Sequence, residues 1–462
     1  MAAESTPPVL WVPLAWLPGG WRTNVLLRAG ADGRWLDVTA DVAAPPAGAR
    51  VLAGPLLPGV VDAHSHAFQR AFAGFAERRD SASDDFWSWR ERMYGIALRV
   101  TPEQLRAVAA QLYVELLRGG YTHVCEFHYL RRDRDGSDYA DPLAMSWALA
   151  DAAADAGIGL TILPVLYERA GFAADALRED QRRFRSSPAE TLDAAQRIRA
   201  AARPLVDSGL AIHSLRGASA ASIATLRKLA EGDAGPTHIH VAEQTGEVDD
   251  CIGATGARPI EWLVRDGVLD SRWQLVHATH ATAQEIAAVA ASGAAIVVCP
   301  STEANLGDGV CDLPAWLGAG VPITVGSDSQ ATRDWREELR LLEYGQRLTR
   351  RERNVAAAPE HGFASTAEHL FSRMGAAAAA AAGQPAWGLV AGARADALAV
   401  DRGDAALLGV EPKRSLDALV FSSPTAPWRD VMVAGRWVIR DGVHAAAPGI
   451  GERFAAAMAG LA

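Results

Sequence analysis

Two histidines one residue apart close an apolar run in PGVVDAHSHAFQRAFAG, residues 58–74. Side chains alternate along a strand, so His64 and His66 share a face and can bind one ion together. The same spacing suits a pair of polar strand-end histidines, and H-x-H alone does not separate the two. Further on, His240, His277 and Asp328 follow other apolar runs, in that order. Imidazoles with one carboxylate suit Zn²⁺, while Fe²⁺ or Mn²⁺ would also accept them. A metal so held lowers the pKa of its water toward neutrality, which suits hydrolysis at an sp² carbon.

Such residues need a scaffold that brings distant strand ends together. Short apolar or β-branched runs alternate with longer Ala-, Leu- and Arg-rich segments of helical period, the pattern of repeated βα units. Eight runs fit: LLPGVVDAHSH, YTHVCEFHYL, IGLTILPVLY, GLAIHSLRGAS, PTHIHVAEQ, WQLVHATH, GAAIVVCPSTEAN and VPITVGSDS. Eight parallel strands with crossover helices predict an α/β fold, a (β/α)8 TIM-like barrel. Its polar residues cluster at the C-terminal ends of the runs: His64, His66, His128, His213, Arg216, His240, Glu243, His277, His280 and Asp328. In a barrel those ends share one mouth.

The flanks differ. Residues 1–56 and 388–462 hold short strand-like pieces such as VLLRAG and VMVAGRWVIRDG. They are expected to pair into one small β-sandwich domain built from both termini, leaving residues 57–387 as the barrel. The stretch GAAAAAAAGQ at 375–384 has the helix propensity of a late barrel helix.

Composition narrows the function classes. With 49% hydrophobic and 22% charged residues the 462-residue chain is a globular protein with a sizeable core. A net charge of −10 without a concentrated basic face argues against nucleic acid. The mixed cluster RRDRDGSD at 131–138 reads as a solvated loop. MAAESTPPVLWVPLAWLPGG lacks a basic n-region and its prolines interrupt the apolar stretch, so neither signal peptide nor membrane span is supported; a cytoplasmic location is expected. Cys125, Cys251, Cys299 and Cys311 form no C-x-x-C pair and read as small buried hydrophobes.

The ordered set of H-x-H after the first run, histidines after the fifth and sixth and an aspartate after the eighth resembles the amidohydrolase superfamily. That resemblance implies His64, His66, His240 and Asp328 as metal ligands, with His277 beside them. Two-metal members bridge their ions with a carboxylated lysine after the fourth strand. This chain has only Lys228 and Lys413, neither in GLAIHSLRGAS, which implies one metal. His238 and His280 offer competing choices, and the superfamily pattern favours His240 and His277. H-x-x-E from His240 to Glu243 is the spacing of deaminating members, where the glutamate carries a proton to the departing nitrogen; Glu243 could otherwise be a helix N-terminal acid. His277 and Asp328 would share the first proton transfer with Glu243, in an order the sequence leaves open.

HSHAFQRAFAG, FWSWRERMY, VCEFHYL, HIHVAEQTGEVDDC, VHATH, CPSTEANLGDG and GSDSQATRDWREELRLLEYGQRL together resemble the N-formimino-L-glutamate deiminases of bacterial histidine degradation. The resemblance implies hydrolysis of a small dicarboxylate to its N-formyl product and ammonia, one Zn²⁺ per subunit and contacts to the glutamate moiety from Gln69, Arg90, Tyr129, His213 and Arg216. Two carboxylates call for arginine forks. Arg90 could instead stack on Trp87 or Trp89, and Tyr129 could be rim packing. Glu303, Asn305 and Ser329 are polar groups at the mouth without an assigned role. FWSWRERMY reads as an irregular lid over the mouth, or as a helix on the barrel wall. Rival readings are a purine or triazine deaminase and a metal-free barrel that binds or scaffolds. A homodimer is the expected assembly.

Overall fold

The computed structural model describes residues 7–75, 77 and 86–461. Eight parallel strands form the barrel, in sheet order equal to chain order: β1 Val60–Ser65, β2 Tyr121–His128, β3 Gly159–Leu166, β4 Leu210–Ile212, β5 Thr237–Val241, β6 Trp273–His277, β7 Ala295–Val298 and β8 Ile323–Val325. A short strand, Val206–Ser208, precedes β4 and also pairs with β3. Every residue of β1, β2 and β3 is buried, as expected of strands covered on both faces. Closure comes from a parallel bridge between Ser65 and Asp328. There the His66 N–H donates to Asp328 O (3.2 Å) and the Asp328 N–H to His64 O (2.9 Å). Gly326 permits this approach, since a Cβ there would lie 2.7 Å from His64 Cβ and 2.8 Å from its carbonyl oxygen. The eight runs read from the sequence are these eight strands.

Crossover helices carry strong start signals. Thr101, Ser187 and Thr282 each accept an N–H at N3 while the N3 Gln or Glu reaches back, a full capping box. The Ala-rich helix Thr366–Ala382 ends against the barrel interior. Its last carbonyls, which lack helical partners, are met from inside: Thr161 Oγ1 donates to Ala382 O at 2.8 Å, and His238 Nε2 and Cys125 Sγ lie 3.1 and 3.4 Å from Ala381 O. His238 is thus the deeper barrel residue.

The flanks of the chain share one eight-stranded, mostly antiparallel sheet. Leu56–Pro58 joins them, pairing with Val9–Leu17 on one side and with Ala397–Val400 on the other. Period-two patterning buries Leu10, Val12 and Leu14 of the first strand. Leu10 and Val12, with Val25, Leu27, Trp35 and Met432, build a core separate from the barrel's. The last helix, Ala447–Leu461, leaves that sheet and packs on the barrel helix Pro102–Arg118.

A buried polar cluster docks sheet and barrel. Arg394 donates to both Asp396 carboxylate oxygens (2.9 and 2.6 Å), to Thr122 O (3.0 Å) and to His123 Nδ1 (2.9 Å). A guanidinium can only donate, so His123 Nδ1 accepts and its Nε2–H reaches Thr161 Oγ1 at 2.8 Å. The loop at 131–138 departs from the solvated reading: Arg132 is buried and ion-paired with Glu190 (2.6 Å) and Asp138. Its guanidinium ties the loop to the helix Pro188–Ala200. Among the described residues no helix is long and apolar enough to cross a membrane.

Candidate active site

Asp62, His64 and His66 share one face of β1 and its extension. Asp62, the deepest, accepts from the Ser327 N–H (2.9 Å) and hydroxyl (2.5 Å). Burial pushes its carboxyl up to about 7 against those bonds. Above it His64 Nε2 faces His240 Nε2 at 3.0 Å. His240 Nδ1 is held by His213 O (2.9 Å) and His66 Nδ1 by Phe127 O (3.1 Å). Carbonyls only accept, so these Nδ1 atoms carry the hydrogens and both Nε2 atoms keep lone pairs. Asp328 Oδ1 lies 3.5 Å from His64 Nε2 and 3.4 Å from His66 Nε2.

This donor set fits a metal cation. Ligand atoms of His64, His66 and His240 all lie within 4.8 Å of one another. His240 Nε2 keeps a lone pair 3.0 Å from His64 Nε2, and in its Nδ1–H tautomer His64 offers a second one beside it, so the two can share one cation. Burial, then the neighbouring His64, holds His66 down to about 3, and burial keeps His240 well below its ordinary value, so both rings are neutral as ligands must be. Burial would raise Asp328, but the histidines outweigh it and hold its carboxyl below the usual range. His277, Cys299 and Asp328 make a second grouping. Burial pushes the Cys299 thiol well up, which leaves it protonated and a poorer ligand.

Glu243 and His277 stand beside the cluster. His277 Nε2 is 3.6 Å from Asp328 Oδ2 and 3.7 Å from Glu243 Oε1, and its Nδ1 is 3.3 Å from Glu303 Oε1. Burial opposes charge on this ring, yet Glu243, Glu303 and Asp328 together push it up to about 10. Glu243 is raised by burial to about 7, against His277 and Arg216. A carboxyl there can hold a proton near neutrality. Its backbone N–H donates to the buried Glu247 (3.1 Å), which also takes the Ala242 N–H (3.3 Å), so the helix Thr245–Thr255 fixes the strand-end turn. Ala242, His277, Ala278 and Asp328 all have φ between 47° and 69°. Left-handed backbone at non-glycine residues is uncommon and clusters at functional sites.

One cleft at the C-terminal ends of the strands is lined by His66, His240, Glu243, His277 and Asp328 together with Gln69, Arg90, Tyr129, His213 and Arg216. His64 lies beneath them. Gln69 Nε2 donates to the Tyr129 hydroxyl at 3.4 Å, and the His213 ring stacks on Tyr167 with centroids 3.9 Å apart. Two residues of the expected mouth lie elsewhere. His128 turns into a side cavity with Arg131 and Ser146, because strand alternation sends it away from its neighbour Tyr129. His280 is bound to Asp308 O at 2.9 Å.

FWSWRERMY is not irregular. It forms the start of a helix, Phe86–Ala97, whose Trp89, Arg90, Met93 and Tyr94 face the cleft. The Arg90 guanidinium lies 5.7 Å from the Tyr94 ring centroid; the suggested stacking on Trp87 falls outside the described residues. Lys228 is exposed on the helix Ala220–Leu229. Sequence reasoning passed over Tyr94, Tyr167, Phe184 and Thr302, which also line the cleft, and left Glu303 without a role. Tyr167 follows the third apolar run, a position that signals a mouth residue.

Residues 56–438 match the model of the Amidohydrolase family, which spans the whole barrel. The chain belongs to the amidohydrolase family. This amidohydrolase is 46% identical over 432 residues to the formimidoylglutamate deiminase of Pseudomonas aeruginosa, covering 93% of this chain and 94% of that protein. It superposes on the crystal structure of an amidohydrolase from Brucella melitensis with a TM-score of 0.92 at 39% identity, over 98% and 99% of the two chains. An adenosine deaminase from Xanthomonas campestris, crystallised with bound zinc, shares the fold at 20% identity, with a TM-score of 0.79 over 98% of this chain and 99% of that one.

Proposed function

We propose that this amidohydrolase hydrolyses N-formimino-L-glutamate to N-formyl-L-glutamate and ammonia, a deimination that belongs to histidine degradation. One observation carries the reading: Glu243 and an imidazole–carboxylate donor set line the same cleft as two arginines, Arg90 and Arg216. The relative from Pseudomonas aeruginosa supports it. A dicarboxylate needs such paired cations, whereas a purine or triazine ring does not.

In this proposal His64, His66, His240 and Asp328 hold one divalent ion per subunit, Zn²⁺ by preference, with Fe²⁺ or Mn²⁺ also accepted by the same donors. When bound, the ion supplies Lewis acidity and lowers the pKa of water at the site. Arg90 and Arg216 bind the substrate carboxylates, while Gln69, Tyr129 and His213 set its orientation by hydrogen bonds. Water adds to the formimino carbon, giving one proton to Asp328 or Glu243 and the second as its oxygen becomes the C=O, and both protons end on the nitrogen that leaves. His277, steadied by Glu303 on its Nδ1, donates from Nε2 to the developing charge. Glu243 delivers a proton to the departing nitrogen, the C–N bond breaks, and ammonia leaves a formyl C=O behind. Residues 57–387 are taken as the catalytic barrel, with the 1–56 and 388–462 flanks as its β domain. A cytoplasmic homodimer completes the proposal.

Ammonia release from N-formimino-L-glutamate, compared with guanine and cytosine, tests it. Turnover of the formimino compound alone is expected. Turnover of guanine without it would transfer the protein to the purine deaminases, and a chain without metal or any ammonia release would be a scaffold.

A further inference from the structure

Tyr94 and Tyr167 line the same cleft as the two arginines. They come from distant parts of the chain and are joined by one buried amide. Gln181, on the short 3-10 helix Glu179–Phe184 and fully buried, donates from Nε2 to Tyr94 Oη at 3.1 Å and to Tyr167 Oη at 2.8 Å. Its Oε1 accepts the Arg178 backbone N–H at 3.1 Å. That last bond settles the amide's orientation, because an N–H can only face the oxygen. Both amide hydrogens are therefore spent on the two phenol oxygens, and Gln181 takes no proton from either.

Proton counting then constrains the pair. Each tyrosine keeps its own O–H hydrogen. If one hydroxyl donates to the other, a single hydrogen is used and one still remains. The rings that carry these hydroxyls are held in place. Tyr167 is stacked on both sides, by His213 at 3.9 Å and Phe184 at 5.7 Å, and Tyr94 packs on Phe184 at 5.4 Å. At least one O–H hydrogen is thus left for an acceptor other than Gln181 or the partner tyrosine, and both residues line the cleft, with the Arg90 guanidinium 5.7 Å from the Tyr94 ring centroid. We propose that Gln181 polarises Tyr94 and Tyr167 into an O–H donor site for one carboxylate of a dicarboxylate ligand, so that the two tyrosines are specificity residues and Gln181 their positioning residue. This rests on the dicarboxylate reading of the cleft above.

Binding tests it apart from turnover. The probe is N-formyl-L-glutamate, titrated calorimetrically into the zinc-loaded protein and compared with N-formyl-L-alanine and 4-formamidobutanoate, which each lack one carboxylate. A hydrogen bond to a charged group corresponds to roughly ten-fold or more in Kd. Tyr94→Phe and Tyr167→Phe, singly or together, are expected to raise Kd for the diacid at least about ten-fold, and to leave Kd for one of the two single acids unchanged. Gln181→Glu keeps the shape and the bond to the Arg178 N–H but accepts both phenol hydrogens. It should weaken the diacid by at least as much, although no ligand atom touches it. Unchanged diacid affinity, or equal losses for all three ligands, would overturn the proposal, as would a wild-type protein that does not bind the diacid. Diacid binding that depends on the tyrosines, without ammonia release from N-formimino-L-glutamate, would retain the site and overturn the deiminase reading.

Discussion

His277 Nδ1 lies 3.3 Å from Glu303 Oε1, and the same oxygen accepts the Cys299 N–H at 2.9 Å. Glu303 thus fixes the ring of His277 from behind, as a carboxylate does for an imidazole whose other nitrogen works on a substrate. Glu303→Gln keeps an oxygen for both bonds but loses the charge. It is expected to lower kcat about ten- to hundred-fold with little change in KM. Steady-state kinetics on N-formimino-L-glutamate checks this; a rise in KM alone would place Glu303 outside the reaction.

In the proposed reaction Glu243 carries a proton to the departing nitrogen. Glu243→Gln should reduce kcat by a factor on the order of 10²–10⁴, the usual worth of a positioned proton donor, with metal content unchanged. Wild-type kcat with metal retained would remove Glu243 from the chemistry.

The donor cluster makes its own prediction. His240→Ala removes one of three imidazoles whose ligand atoms lie within 4.8 Å of one another, so bound zinc measured by atomic absorption should fall well below one per chain. Chelation of the wild type should abolish ammonia release and lower its melting temperature, because an ion that binds only the folded state stabilises it by mass action.

Arg394 is 8% exposed and donates to both oxygens of Asp396. Arg394→Met strands a buried carboxylate between barrel and sheet, at a cost of about 3–5 kcal/mol. Denaturant unfolding of the zinc-loaded protein reads this loss.

His123, in the same cluster, is kept neutral: burial, then Arg394, holds it well below its ordinary value. The unfolded chain takes up a proton below about pH 6.5 that the folded chain refuses. The stability it contributes is therefore intact above that pH and lost as pH falls below it. His123→Asn should flatten this acid-side loss, measured as melting temperature against pH.

The barrel was legible in the sequence because each fully buried strand is a short apolar run, and because parallel strands place their polar ends on one rim. Gln69, Arg90, Tyr129, His213 and Arg216, which the structure gathers in one cleft, were legible as a set only through the resemblance to the deiminases; Arg90 in particular follows none of the apolar runs. His128 misled because one residue of strand register reverses a side chain, and register cannot be read from an uninterrupted apolar run. Gln181 and Glu247 left no local trace: the contacts of Gln181 with Tyr94 and Tyr167 span 87 and 14 residues, and each is an ordinary polar residue in a polar stretch. The helix at Phe86–Ala97 reads ambiguously because Trp89 and Tyr94 serve the cleft rather than a barrel-facing stripe.

Ser65 and Asp328, paired across the last gap in the barrel wall, tie completion of the fold to completion of the donor set. Only when β8 docks on β1 does Asp328 come within 3.5 Å of His64 and His66. A chain interrupted before β8, or one whose wall has opened at this seam, therefore has an incomplete site for the ion. A break at this one seam would part Asp328 from His64 and His66 while leaving the other strand pairings of the barrel untouched.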